Sequence, residues 1–146
     1  MPQSATEPLS QPVLLGFDPG RIKCGLAIVG LDRALHHHQV VLAAEVLSQI
    51  EALRQTYAIS AIVMGDQTGA KDWQAKLTAL ADTPRISLID ERHSSLEARD
   101  RYWQMYPPKG LTRLVPQGMR SIPRQIDDIV AILLVERYLD RLTGNR

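Results

Sequence analysis

Between residues 126 and 135 the chain reads IDDIVAILLV, and apart from two adjacent aspartates every side chain in it is apolar. Helical spacing continues downstream, so the pattern predicts a helix over 124–142, entered just after Pro123. A helix that is apolar all round is buried on most of its sides, so another layer of structure has to cover it. Asp127 and Asp128 then stand in its first turn. Acids there suit the helix dipole whether or not they bind anything. At the start of so apolar a helix, however, they face a crowded and partly dry place.

The covering layer is legible upstream. VLLGF (13–17) reads as a buried strand closed by Asp18, Pro19 and Gly20. Pro presets φ and Gly supplies positive φ, so a tight turn into KCGLAIV (23–29) is expected, making a hairpin. Residues 34–42 supply a third strand, and 44–58 carry a helical stripe through positions 46, 47, 50, 53 and 57. Then come a strand over 60–65, a helix over 70–82, a strand over 85–90 and a helix over 95–106. A long Pro- and Gly-rich connection, 107–123, leads to the last helix. Hairpin-linked strands followed by alternating strand and helix imply a mixed sheet with helices on its faces, an α/β fold. Residues 13–146 read as one domain, and the polar, proline-bearing 1–12 as a loose tail rather than a signal peptide.

Sheets of this kind place ligands at the carboxyl ends of their strands. Those ends carry Asp18, Asp66 and the pair Asp90-Glu91. Two divalent cations about 3.5–4 Å apart, held by carboxylates, can hydrolyse a phosphodiester. Mg²⁺ prefers hard oxygen ligands and keeps several waters, so a few carboxylates suffice. Asp18, Glu91 and Asp127 or Asp128 are the candidates, spread along the chain for the fold to bring together. Each also has a plainer reading: Asp18 as a turn former, DER (90–92) as a solvated loop, and the Asp pair as helix-dipole acids.

Composition decides the class. With 45% hydrophobic and 23% charged residues over 146 positions, the chain reads as globular rather than disordered. Its single cysteine, Cys24, excludes an internal disulfide and fits a reducing compartment, so the cytoplasm is the expected location. Cys24 is expected as a buried thiol, not a nucleophile. The longest apolar run, 129–135, is far too short to span a bilayer, so no membrane partner is expected. A net charge of +1 conceals a basic segment: Arg99, Arg101, Lys109, Arg113, Arg120 and Arg124 stand against Asp100 alone. Such cations supply sequence-independent affinity for phosphates. Tyr102, Trp103 and Tyr106 suit either base stacking or a core face, with the core expected for Trp103. The 107–123 loop is a candidate substrate-gripping flap. His36-His37-His38 alternate across a strand and read as surface rather than as a metal site.

Three segments, GFDPGRIKCGLAIV, DERHSSLEAR and QIDDIVAILLVERYLD, together resemble the motifs of the YqgF-type family, ribonuclease H-like proteins described as pre-16S rRNA nucleases and as Holliday-junction-resolvase-like nucleases. The resemblance implies a ribonuclease H-like mixed five-stranded sheet flanked by helices, and a nuclease using Mg²⁺ or Mn²⁺. It implies Asp18, Glu91 and Asp127 as catalytic and metal-binding acids; Asp66, an extra acid where the chain departs from the family pattern, and Asp128, on a variable position, are further candidate ligands by their places in the chain. Arg92, Ser94 and Ser95 match a segment that helps to form the site. Arg21, Lys23, Arg92, Lys109, Arg113, Arg120 and Arg124 are the candidate contacts to nucleic acid. The expected substrate is an rRNA precursor, with branched DNA as the alternative and a noncatalytic nucleic-acid or ribosome-assembly binder as a further one. A monomer suits RNA trimming and a homodimer suits paired cuts in a junction. The chain departs from the family pattern in MGDQTG (64–69), where Gly-Leu-Pro is usual, and in Val130, where a small Ala is usual.

Overall fold

The computed structural model describes residues 9–67 and 69–144. Three antiparallel strands come first: β1 (Leu9–Asp18), β2 (Lys23–Gly30) and β3 (Leu35–Leu42). A single 3₁₀ turn, Ala43–Glu45, leads into α1 (Val46–Thr56) and then β4 (Tyr57–Gly65). Helix α2 (Ala70–Thr78), β5 (Arg85–Ile89), α3 (Ser94–Met105) and α4 (Asp127–Thr143) complete the chain. Spatially the five strands run β3-β2-β1-β4-β5, with β4 and β5 parallel to β1. The result is an α/β fold with a mixed sheet flanked by four helices, consistent with a ribonuclease H-like architecture.

Alternation along β1 sorts the two faces. Val13, Leu15 and Phe17 pack with Val46, Ile50, Trp73 and Leu77, so α1 and α2 cover one side. Leu14, with Ala27 and Val29 of β2, packs against α4 and the buried Ala98 and Tyr102 of α3 on the other. Asp18 follows Leu14 at even spacing, so its side chain emerges on the α4 face. Helix α4 is buried from Asp128 through Val135, as its apolar run requires. Full burial of each Leu or Ile there contributes about 1.5–3 kcal/mol. Arg101 of α3 ties this layer together through two hydrogen bonds, 2.8 and 2.7 Å, to Glu136 of α4.

Several boundaries differ from expectation. Strand β1 begins at Leu9 rather than 13, so residues 9–12 belong to the sheet; of the expected tail, residues 1–8 lie outside the described residues. Pairing to β4 shifts register between Leu9 and Pro12, where Pro12 has no N–H to give the ladder. Strand β4 begins at Tyr57, where the partner β1 offers backbone groups that local helix periodicity does not report. Helix α4 starts at Asp127, not 124, because Ile126 has non-helical dihedrals (φ −124°, ψ 24°). The 107–123 connection contains two 3₁₀ turns, Gly110–Leu114 and Gln117–Met119. No helix among the described residues is long and apolar enough to cross a membrane.

Candidate active site

Asp18 is the last residue of β1, and it pairs with Gly25 on β2. The first turn of α4 lies directly on that glycine: a Cβ at position 25 would run into the backbone carbonyl of Asp127. Only a residue without a side chain permits the approach, and it brings Asp127 to Asp18. Glu91 arrives from the far side by a similar device. Its carboxylate occupies the space that a Cβ on Gly65, the last residue of β4, would fill. The backbone N–H of Gln67 donates to Glu91 Oε2 at 3.2 Å and holds it there.

The turn carrying Glu91 is built by its neighbours. The Asp90 carboxylate accepts the Arg92 N–H at 2.8 Å, and the Ser94 N–H donates to the Glu91 carbonyl at 3.0 Å. His93 closes the turn in the left-handed region (φ 63°), which non-glycine residues enter at a cost. Arg137 of α4 donates to the Asp90 carbonyl at 2.6 Å and anchors the turn to the helix layer.

Asp18, Glu91 and Asp127 line one cavity of about 400 Å³, together with Gln67, Arg92 and Ser95. Burial, and then the closeness of Glu91 and Asp127, push the Asp18 carboxyl up from 3.8 to about 9. Asp127 is also raised, first by burial; Asp18 as hydrogen-bond donor and the nearby Lys23 charge pull it back down. Asp18 therefore carries a proton at neutral pH and shares it with its two neighbours. The hard oxygen donors of the three acids suit Mg²⁺ or Mn²⁺. No group of three His, Cys, Asp or Glu side chains among the described residues is placed so as to hold a metal ion as it stands.

Asp128 behaves differently from its neighbour. Successive helix residues are turned by about 100°, and Asp128 faces away from the cavity. It is 2% exposed. His38 Nδ1 donates to its Oδ2 at 2.6 Å; Arg124 Nη1 and the Ile129 N–H both donate to its Oδ1 at 3.0 Å. Asp66 is exposed, and lines a separate cavity with Lys71 and Asp72 rather than joining the acids.

The expected phosphate-binding cations fall into three groups. Arg92 stands on the rim of the acid cavity, its side chain 77% exposed. Lys23 and Arg124 line an adjoining cavity of about 500 Å³ floored by Val40 and Leu42, and Arg21 lines another with Trp73 and Lys76. Lys109 and Arg113 are exposed on the long connection. Arg120 is partly committed inside the fold, donating to the Val115 carbonyl at 2.9 Å and lying over the Trp103 ring. Of the aromatics, Tyr102 is buried, Trp103 packs half-buried against the α4 layer and Tyr106 is exposed. Cys24 is buried on the opposite face of the sheet, beside Phe17 and Leu26.

Sequence reading missed Gln67, His93 and His38. Gln67 and His93 sit beside recognised acids, and proximity in sequence was the available signal. His38 lies 90 residues from its partner, and its alternation along β3 marked only that it faces opposite to His37. No protein-family model and no curated protein matches the chain.

Proposed function

We propose that this chain is a metal-dependent nuclease that hydrolyses phosphodiester bonds in structured nucleic acid, with rRNA precursors as substrate and four-way DNA junctions as the alternative. The observation that carries this reading is the meeting of Asp18, Glu91 and Asp127 in one cavity, crowded enough to force a proton onto Asp18. The resemblance of the three motifs to the YqgF-type family supports it. Asp18, Glu91 and Asp127 are the residues that hold Mg²⁺ or Mn²⁺, which when bound supplies an activated water and neutralises charge on the phosphoryl oxygens.

The remaining steps belong to the chain itself. Asp18 releases its proton when the site is loaded, because metal ligands must be deprotonated. Gly65 and the Gln67 N–H keep Glu91 turned inward, while the Lys23 charge offsets part of the upward push that burial gives Asp127. Arg92 and Ser95 at the rim face an entering phosphate, and Lys23 with Arg124 continues the cationic path beside Asp127. Lys109 and Arg113 add sequence-independent attraction from the exposed loop. A single chain carries every residue this requires, so a monomer suffices for RNA, acting in the cytoplasm where a lone thiol stays reduced.

A side-by-side cleavage assay tests the reading, using precursor rRNA ends and synthetic junctions with Mg²⁺, Mn²⁺ or EDTA. Wild type is expected to cut the precursor only with metal, and Asp18→Asn to be slower by about 100-fold or more. A folded Asp18→Asn that cuts at the wild-type rate overturns the assignment. Binding retained in EDTA, with no cleavage under any condition, replaces it with a noncatalytic nucleic-acid binder.

A further inference from the structure

The first turn of α4 is gripped from three directions through a residue that does not enter the acid cavity. Both carboxylate oxygens of Asp128 are used: Oδ2 by His38 of β3, Oδ1 by Arg124 and by the Ile129 N–H. Arg124 is itself fixed, donating to the Gln125 carbonyl at 2.6 Å, with its guanidinium 5.6 Å from the ring centres of both Tyr102 and Tyr106. The outer strand and the segment entering α4 therefore meet on one buried carboxylate, with Tyr102 and Tyr106 backing Arg124. The residue before it, Asp127, has its own carbonyl against Gly25 and its side chain in the cavity.

We infer that His38, Asp128 and Arg124 form a positioning clamp that sets the rotation of the first turn of α4, and through it the direction of the Asp127 carboxylate. The inference rests on the nuclease reading, because it assigns Asp127 a job that needs an orientation. Asp128 consequently acts as a structural acceptor and not as a metal ligand. Several features favour a clamp over simple charge neutralisation. Ile126, the N-cap residue, supplies no side-chain cap to this helix start. His38 comes from 90 residues away and Arg124 from the segment just before the helix, so the carboxylate is held between the outer strand and its own helix start. His38 reaches Asp128 through Nδ1, the ring nitrogen that an asparagine amide mimics in place.

The test compares His38→Ala, His38→Asn and Asp128→Asn with wild type and Asp18→Asn. Two readouts are taken: cleavage kinetics, and Mn²⁺ affinity measured by titration without nucleic acid. His38→Ala and Asp128→Asn are expected to lower kcat about tenfold or more with KM within about twofold, since positioning acts on the reacting geometry. Mn²⁺ binding should weaken by about 10–100-fold, the range for residues that orient metal ligands. His38→Asn should restore both to within about threefold. Equal impairment of His38→Ala and His38→Asn, or wild-type values in a folded Asp128→Asn, overturns the clamp. If wild type binds Mn²⁺ but cuts nothing, the nuclease reading fails while the Mn²⁺ series still decides the clamp. If wild type neither cuts nor binds Mn²⁺, both fall together.

Discussion

Asp127 and Asp128 are neighbours in one helical turn, yet they belong to opposite kinds of place. Asp127 opens into a cavity where it meets two more carboxyls, and burial combined with that company raises Asp18 to about 9. Asp128 is more deeply buried and meets a histidine and an arginine at hydrogen-bond distance. A buried carboxylate is destabilising by itself and tolerable when paired. The clamp follows that rule and the cavity breaks it. Departures of this kind concentrate where structure serves chemistry, because unrelieved charge is what a cation or a substrate relieves.

The contrast can be broken most severely at Gly25. Gly25→Ala sets a Cβ against the Asp127 carbonyl, and the backbone there cannot swing aside like a flexible side chain. The helix start has to lift from the sheet, costing about 1–3 kcal/mol by overpacking. Displacing Asp127 should cut the cleavage rate about 100-fold, measured alongside thermal unfolding. Asp128→Ala comes next. It leaves His38 and Arg124 without their shared acceptor, and denaturant unfolding should report a loss of about 1–3 kcal/mol.

A titration sharpens the comparison from the cavity side. Asp18 titrates near 3.8 when free and near 9 in the fold, so the folded chain binds a proton that the unfolded chain has released. The stabilising contribution is complete below about pH 4 and is lost as pH rises toward about 9. Metal-free wild type should therefore melt at progressively lower temperature between about pH 5 and 8.5, by less than the single-proton ceiling of about 1.4 kcal/mol per pH unit. Asp18→Asn carries no charge at any pH and should flatten that slope. Calorimetry in EDTA decides it: parallel slopes for the two proteins would mean that Asp18 is not under the strain its surroundings imply.

Much of the architecture was legible in the residue pattern. The apolar run after Asp128 required a covered helix, and the Asp-Pro-Gly break after VLLGF placed the first acid at a strand end. Glycine roles were only half visible. Gly20 was expected to supply a positive φ but does not, and nothing local says that Gly25 and Gly65 are needed for what crosses above them, since their partners lie about 100 and 26 residues away. Asp66 was drawn in by its place after a strand, yet it points to another cavity, and the backbone of the next residue serves the site instead. The sorting of Asp127 from Asp128 depended on three-dimensional partners, because both occupy the same first turn and suit the same dipole. A strand histidine gave no hint of the acid it meets from the far end of the chain.

Helix α4 touches all five strands, and it follows every one of them in the chain. One member of the acid cluster is thus delivered by the element that synthesis produces last among those described. Contacts so distant in sequence form slowly, because a long loop must close before they contribute anything. A nascent chain carrying Asp18 and Glu91 therefore lacks the third acid of the cavity until α4 docks.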